Sequence, residues 1–162
     1  MTILRADWHF VLRHPAHFFA FGFGSGLAPV APGTFGTLAA IPLYYLLAAL
    51  LPVGVLYGAI GLAAVAGIWI CDLTGRNLGV ADYGGIVWDE IVAFWCVLLF
   101  TPASVPWIAA AFIAFRLFDI WKPFPINWFD AKFKNGYGVM LDDGLAAIYT
   151  LSVLEGIKYW LR

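Results

Sequence analysis

The chain has 162 residues, of which 63% are hydrophobic and only 12% charged, and its nine basic and ten acidic residues leave a formal net charge of −1. Soluble domains carry about 25% charged residues, so a water-exposed globule is excluded, and the balanced charge offers no basic surface for nucleic acid. With a mean hydropathy of +0.87 and no Asp, Glu, Lys or Arg between Arg13 and Asp72, the composition predicts an all-α, polytopic membrane protein forming a single domain over residues 1–162.

Residues 1–21 mix Arg5, Asp7, His9, Arg13, His14 and His17 with aromatics, which suits an interfacial segment better than a cleaved signal peptide. His14-x-x-His17 lacks companion ligands, so these histidines read as polar groups at headgroup level. The stretch GFGSGLAPVAPGTFGTL, residues 22–38, gathers glycines around Ser25, Thr34 and Thr37. It suits an anion site at a helix N-terminus, or equally a re-entrant turn whose glycines permit close packing. No Lys follows a glycine there, so it is not a Walker A loop.

A crossing needs about 20 apolar residues. Two windows come first, Phe35–Leu51 and Val53–Cys71, separated by a turn at Pro52. A second pair, Ile86–Phe100 and Val105–Trp121, is joined by a loop carrying Pro102 and Pro106, and the last window is Asp143–Leu161. About five transmembrane helices are expected. Cys71 and Cys96 sit in or at apolar runs without metal-type spacing and read as small packing residues.

Basic residues accumulate on the cytoplasmic side of membrane proteins. Arg5, Arg13, Arg76, Lys122, Lys132 and Lys134 fall on one side if the N-terminus is inside, leaving Lys158 and Arg162 on the other. That topology brings 22–37, 72–90, 116–130 and 142–143 to one membrane face.

Eight of the ten acids lie from Asp72 to Asp143. Asp89 and Glu90 open an apolar run and can serve one site only if it lies between their directions. Arg116, Asp119 and Lys122 recur along one face of the fourth crossing, where an ion pair or a function is the default. Asp142 and Asp143 stand at the predicted start of the last helix, where capping accounts for one acid but not two. Asp89, Glu90, Asp119, Asp130, Asp142 and Asp143 together demand a counter-ion. An all-oxygen donor set favours Mg²⁺ over Zn²⁺, with Arg116 and Lys122 left to hold an anionic phosphate.

The ordered set GFGSGLAPVAPGTFGTL, GIVWDEIVAFW, FRLFDIWKPFPINWFD and GYGVMLDDGLAAIY resembles the phosphatidylglycerophosphatase A family over roughly residues 20–150. The resemblance implies a Mg²⁺-dependent, multi-pass phosphomonoesterase of the bacterial inner membrane. Its site would face the cytoplasm, and it would convert the anionic phospholipid phosphatidylglycerophosphate to phosphatidylglycerol. Two small departures, Asn135-Gly136 for a usual Gly-Gly and Ala146-Ala147 for Ala-Gly, bear on helix packing rather than on the reaction.

Carried onto these positions, the resemblance makes Asp89, Glu90, Asp142 and Asp143 metal ligands or their supports. Asp119 or Asp130 would activate the attacking water. Lys122 and Arg116 would hold phosphate oxygens, with Ser25, Gly33 and Thr34 assisting. The alternatives are an enzyme similar to the CDP-alcohol phosphotransferases, of whose pattern only Asp143-Gly144-x-x-Ala147 is present, and a divalent-cation transporter, against which the acids cluster at one face.

Overall fold

A computed structural model describes residues 6–161, and within them every regular element is a helix. Arg5 and Arg162, which enter the topology count, lie outside the described residues. Two short helices, α1 (Trp8–Leu12) and α2 (Pro15–Ala20), lead into a kinked turn at Gly22–Leu27. The bundle then comprises α3 (Pro32–Leu50), α4 (Val53–Leu78), α5 (Trp88–Phe100) and α6 (Val105–Trp121), followed by a short α7 (Ile126–Lys132) and a long α8 (Gly136–Trp160).

Three of these, α3, α4 and α8, are long and apolar enough to cross a membrane, fewer than the five windows suggested. The difference lies in length. With 13 residues, α5 extends only about 20 Å at about 1.5 Å per residue, short of a hydrocarbon core of about 30 Å. The 17 residues of α6 stand at the lower limit of about 17 for a spanning helix.

Burial explains how so short a helix sits in an apolar bundle. From Trp88 to Leu98 every residue of α5 is buried except Glu90 and Cys96, which are half-buried. Lipid tails are as apolar as leucine, so packing and hydrogen bonds must hold such a helix in place. The Trp95 indole donates to the Ala40 carbonyl of α3 at 2.9 Å, and the Trp88 indole to the Ala63 carbonyl of α4 at 3.1 Å. At the far end Lys158 Nζ donates to the Phe100 carbonyl at 2.7 Å, setting the end of α5 level with the last turns of α8.

Two helix boundaries differ from the sequence expectation, and each has a local cause. Helix α4 continues past Cys71 because Asp72 and Arg76 neutralise each other one turn apart, 2.6 Å between charged atoms. It stops where Gly79 turns left-handed at φ 78°. Helix α8 starts at Gly136 rather than Asp143, because Asn135 is its cap, accepting from the Gly138 amide at 3.0 Å. Asp142 and Asp143 therefore lie nearly two turns inside the helix, buried, and do not cap it.

The N-terminal segment is a pair of helices with an apolar underside. Phe10, Val11, Ala16 and Ala20 are buried against the bundle, while Trp8 and Leu12 face outward. The reading of His17 as a headgroup-level residue is corrected. It is 3% exposed, with Nδ1 2.9 Å from Thr74 Oγ1 and Nε2 accepting from Asn77 at 3.1 Å. Cys71 is fully buried and Cys96 half-buried, both free thiols used in packing.

Candidate active site

Four helix ends meet at one end of the bundle. The first turn of α3, the first turn of α5, the last two turns of α6 and the second turn of α8 enclose a cavity of about 330 Å³ lined by Gly33, Asp89, Glu90, Arg116, Asp119, Lys122, Asp142 and Asp143. The fold thus brings together eight of the residues singled out in the sequence, from positions more than a hundred apart. Asp89 and Glu90, adjacent on α5, both line this space, as does Asp143 on α8.

Asp89, Glu90 and Asp143 each offer a carboxylate oxygen within 4.8 Å of the other two. One oxygen each of Asp89, Glu90, Asp142 and Asp143 is buried with no hydrogen-bond partner among the described residues. Such groups cost free energy unless something satisfies them. All four predicted metal ligands carry an unsatisfied oxygen, and the donor set is entirely oxygen, which fits a hard divalent cation.

The cations flank this cluster. Arg116 is paired with Asp119 one turn along α6, and its Nη1 lies 3.8 Å from Glu90 Oε1. Its buried Nε has no hydrogen-bond partner among the described residues, so the guanidinium keeps an N–H group to give. Lys122, where α6 ends, donates to Asp142 at 2.6 Å and to Asp130 at 2.9 Å. Burial acts to lower the Lys122 pKa, but its hydrogen bonds to Asp142 and Asp130 and the negative charge of both outweigh that, so the ammonium is held charged above its ordinary range. Asp130 is raised by burial but lowered more by Lys122 and by Lys134, 3.3 Å away, and stays ionised below the usual carboxylate range.

Two backbone features serve the same space. Gly33 leaves no room for a side chain, since a Cβ there would overlap Glu90 Oε1 and come within 3.1 Å of Arg116 Nη2. Ala31 and Lys122, both at the cavity, adopt left-handed φ angles of 48° and 44° without being glycine. Such conformations cost about 1–3 kcal/mol and persist where surrounding contacts impose them.

Other predicted residues lie elsewhere. Asp130 is on α7 and reaches the cavity only through Lys122. Ser25 and Thr34 do not line it, and the Ser25 hydroxyl donates to the Gly22 carbonyl at 2.9 Å. The glycines of this stretch serve close approach: Gly22 and Gly24 have positive φ, and a Cβ on Gly26 would overlap the Gly85 carbonyl. Asp82, which no motif picked out, also lines the cavity. Its only sequence signal is membership of the acidic cluster, beside Gly84-Gly85.

A family model described as "Phosphatidylglycerophosphatase A" matches residues 18–158. The chain is 48% identical over 151 residues to "Phosphatidylglycerophosphatase A" of Haemophilus influenzae, covering 93% of each chain. It is 42% identical over 149 residues to the protein of that name from Escherichia coli K12, covering 91% of this chain and 86% of the relative. No solved structure matches.

Proposed function

Because the chain belongs to the phosphatidylglycerophosphatase A family and is thereby a phosphoric monoester hydrolase, we propose that it removes the terminal phosphate of phosphatidylglycerophosphate, leaving phosphatidylglycerol. The observation that carries this reading is one cavity in which four carboxylates, each with a buried and unsatisfied oxygen, stand beside a guanidinium with an N–H group to give.

Asp89, Glu90 and Asp143 would hold a Mg²⁺ ion, with Asp142 presenting its second oxygen alongside. Bound there, the ion would supply Lewis-acid stabilisation of the phosphate oxygens. Arg116 donates to the phosphate from its buried Nε, and Lys122 adds positive charge at the rim. Asp119 lines the cavity and Asp130 does not, which favours Asp119 as the group that takes the proton of the attacking water. Asp130 acts through Lys122, fixing where its ammonium stands.

The membrane arrangement we propose is five crossings, with α5 enclosed by protein, α6 returning beside it, and the cavity at the cytoplasmic face of a bacterial inner membrane. The Lys158–Phe100 contact supports it, since α5 runs as far as the end of α8 opposite the acids. A cysteine at Ser104 should label from outside and one at Ala81 from the cytoplasm. Labelling of both from one side would overturn the five-crossing arrangement.

The activity is tested by purifying the chain in detergent and measuring phosphate release from phosphatidylglycerophosphate with Mg²⁺ and with EDTA. Release that needs Mg²⁺ is expected. No release under either condition would overturn the substrate, and release undiminished by EDTA would overturn the metal.

A further inference from the structure

A second cavity, about 320 Å³, lies beside the first, between the Gly22–Leu27 turn and the loop before α5. The two share Pro32 and Gly84 in their walls. Their chemistry differs sharply. The carboxylate cavity is dense with charge, whereas the neighbouring cleft has no Asp, Glu, Lys, Arg or His in its lining. Peptide groups of the two loops and the Tyr83 hydroxyl supply its polarity. The Ala6 amide donates to that hydroxyl at 3.3 Å, which leaves the phenolic proton to give.

The cleft is rigid by construction. Gly26 and Gly85 meet backbone to backbone, the rings of Phe21 and Tyr83 close over Gly85, and the Val87 amide donates to the Ala20 carbonyl at 2.8 Å. Preformed neutral clefts with a few placed polar groups are what small uncharged ligands use. A second phosphate would find no cation there to offset its desolvation.

We propose that this cleft is the subsite for the alcohol part of the phosphate ester, a short, uncharged, hydroxyl-bearing group joined to the phosphate that sits among Arg116 and the carboxylates. The proposal rests on the phosphatase reading and adds what selects its substrate: a hydroxylated spacer next to the scissile phosphate, recognised by peptide groups and Tyr83 rather than by charge.

Tyr83 allows a direct test. It lines the cleft and not the carboxylate cavity, so Tyr83→Phe removes the cleft's hydroxyl and leaves the surroundings of the phosphate in place. Ala28→Leu fills the cleft from a position that does not line the carboxylate cavity. With the full chain in detergent and Mg²⁺ present, dissociation constants for inorganic phosphate and for glycerol phosphate are measured by calorimetry.

The unmodified protein should bind glycerol phosphate more tightly than phosphate. Each variant should weaken glycerol phosphate by about tenfold or more, the scale of a lost contact in a specificity pocket, and phosphate by less than about twofold. Parallel weakening of both ligands, or no change in either, would overturn the subsite. If the binding difference is found but phosphatidylglycerophosphate is not turned over, the cleft stands and the assigned reaction falls.

Discussion

Lys122 at the end of α6 places its Nζ 2.6 Å from Asp142 Oδ2 on α8, while Oδ1 of the same carboxylate is buried without a hydrogen-bond partner. One oxygen is therefore occupied and the other aimed into the cavity. Lys122→Met should lower kcat/KM by about 100-fold, the scale of losing one charge-stabilising group. Lys122→Arg keeps the charge, but its planar fork does not reproduce two separate single contacts, so it should fall in between. Steady-state assays at saturating Mg²⁺ check both. Full activity in the Met variant would remove Lys122 from the site.

Asp143 shows how function and stability separate at such a cluster. Asp143→Asn should cut activity by at least about 100-fold through lost metal affinity. Three carboxylates within 4.8 Å of one another also repel when no cation is bound. The same variant should therefore melt higher than the unmodified protein in EDTA, and the order should reverse in Mg²⁺. Thermal unfolding in detergent under the two conditions gives the comparison.

Gly33 and Gly144 make a matched pair. A Cβ at Gly33 would displace Glu90 and Arg116, whereas one at Gly144 meets nothing within 4 Å. Alanine at either position gains up to about 1 kcal/mol of helix propensity. Gly33→Ala should nevertheless lose about tenfold or more in kcat/KM, a modest displacement of positioned groups, and Gly144→Ala should stay within about twofold. Equal behaviour of the two would show that the close approach at Gly33 has no catalytic consequence.

His17 gives the fold a pH dependence away from the site. Burial first, and His14 second, hold its pKa below the ordinary 6.5. The rings of Phe10, stacked at 4.4 Å, and His14, with Thr74 and Asn77, surround it. Asn77 donates to Nε2, so the neutral ring is the form that fits. The folded state binds fewer protons than the unfolded one, so this contribution is fully present above about pH 6.5 and is lost as pH falls toward the depressed value. Melting temperature should drop between about pH 7 and pH 5, and His17→Gln should flatten that drop.

The helices that face lipid were legible in the sequence, because Phe35–Leu51 and Val53–Cys71 had to be apolar over their whole length. What the sequence concealed is where charge is tolerated inside a helix. Asp72 and Arg76 read as the end of a span, yet they pair and let α4 continue. Asp142 and Asp143 read as a helix start, while a single side chain, Asn135, caps the helix nearly two turns earlier. The acids of the site were found by their unlikely setting among apolar residues. Asp82, exposed in a loop, had no such contrast to reveal it, and the pairing of Asp130 with Lys122 depends on a turn that no periodicity describes.

The enclosure of α5 also constrains how the protein is made. A 13-residue helix whose sides are closed by α3, α4 and α8, and whose indoles need the Ala40 and Ala63 carbonyls, has few partners until those helices are present. The α3–α4 hairpin has the length to enter the bilayer independently. The acidic cavity is complete only with α8 in place, because that helix brings Asp142 and Asp143 to the residues of α3, α5 and α6.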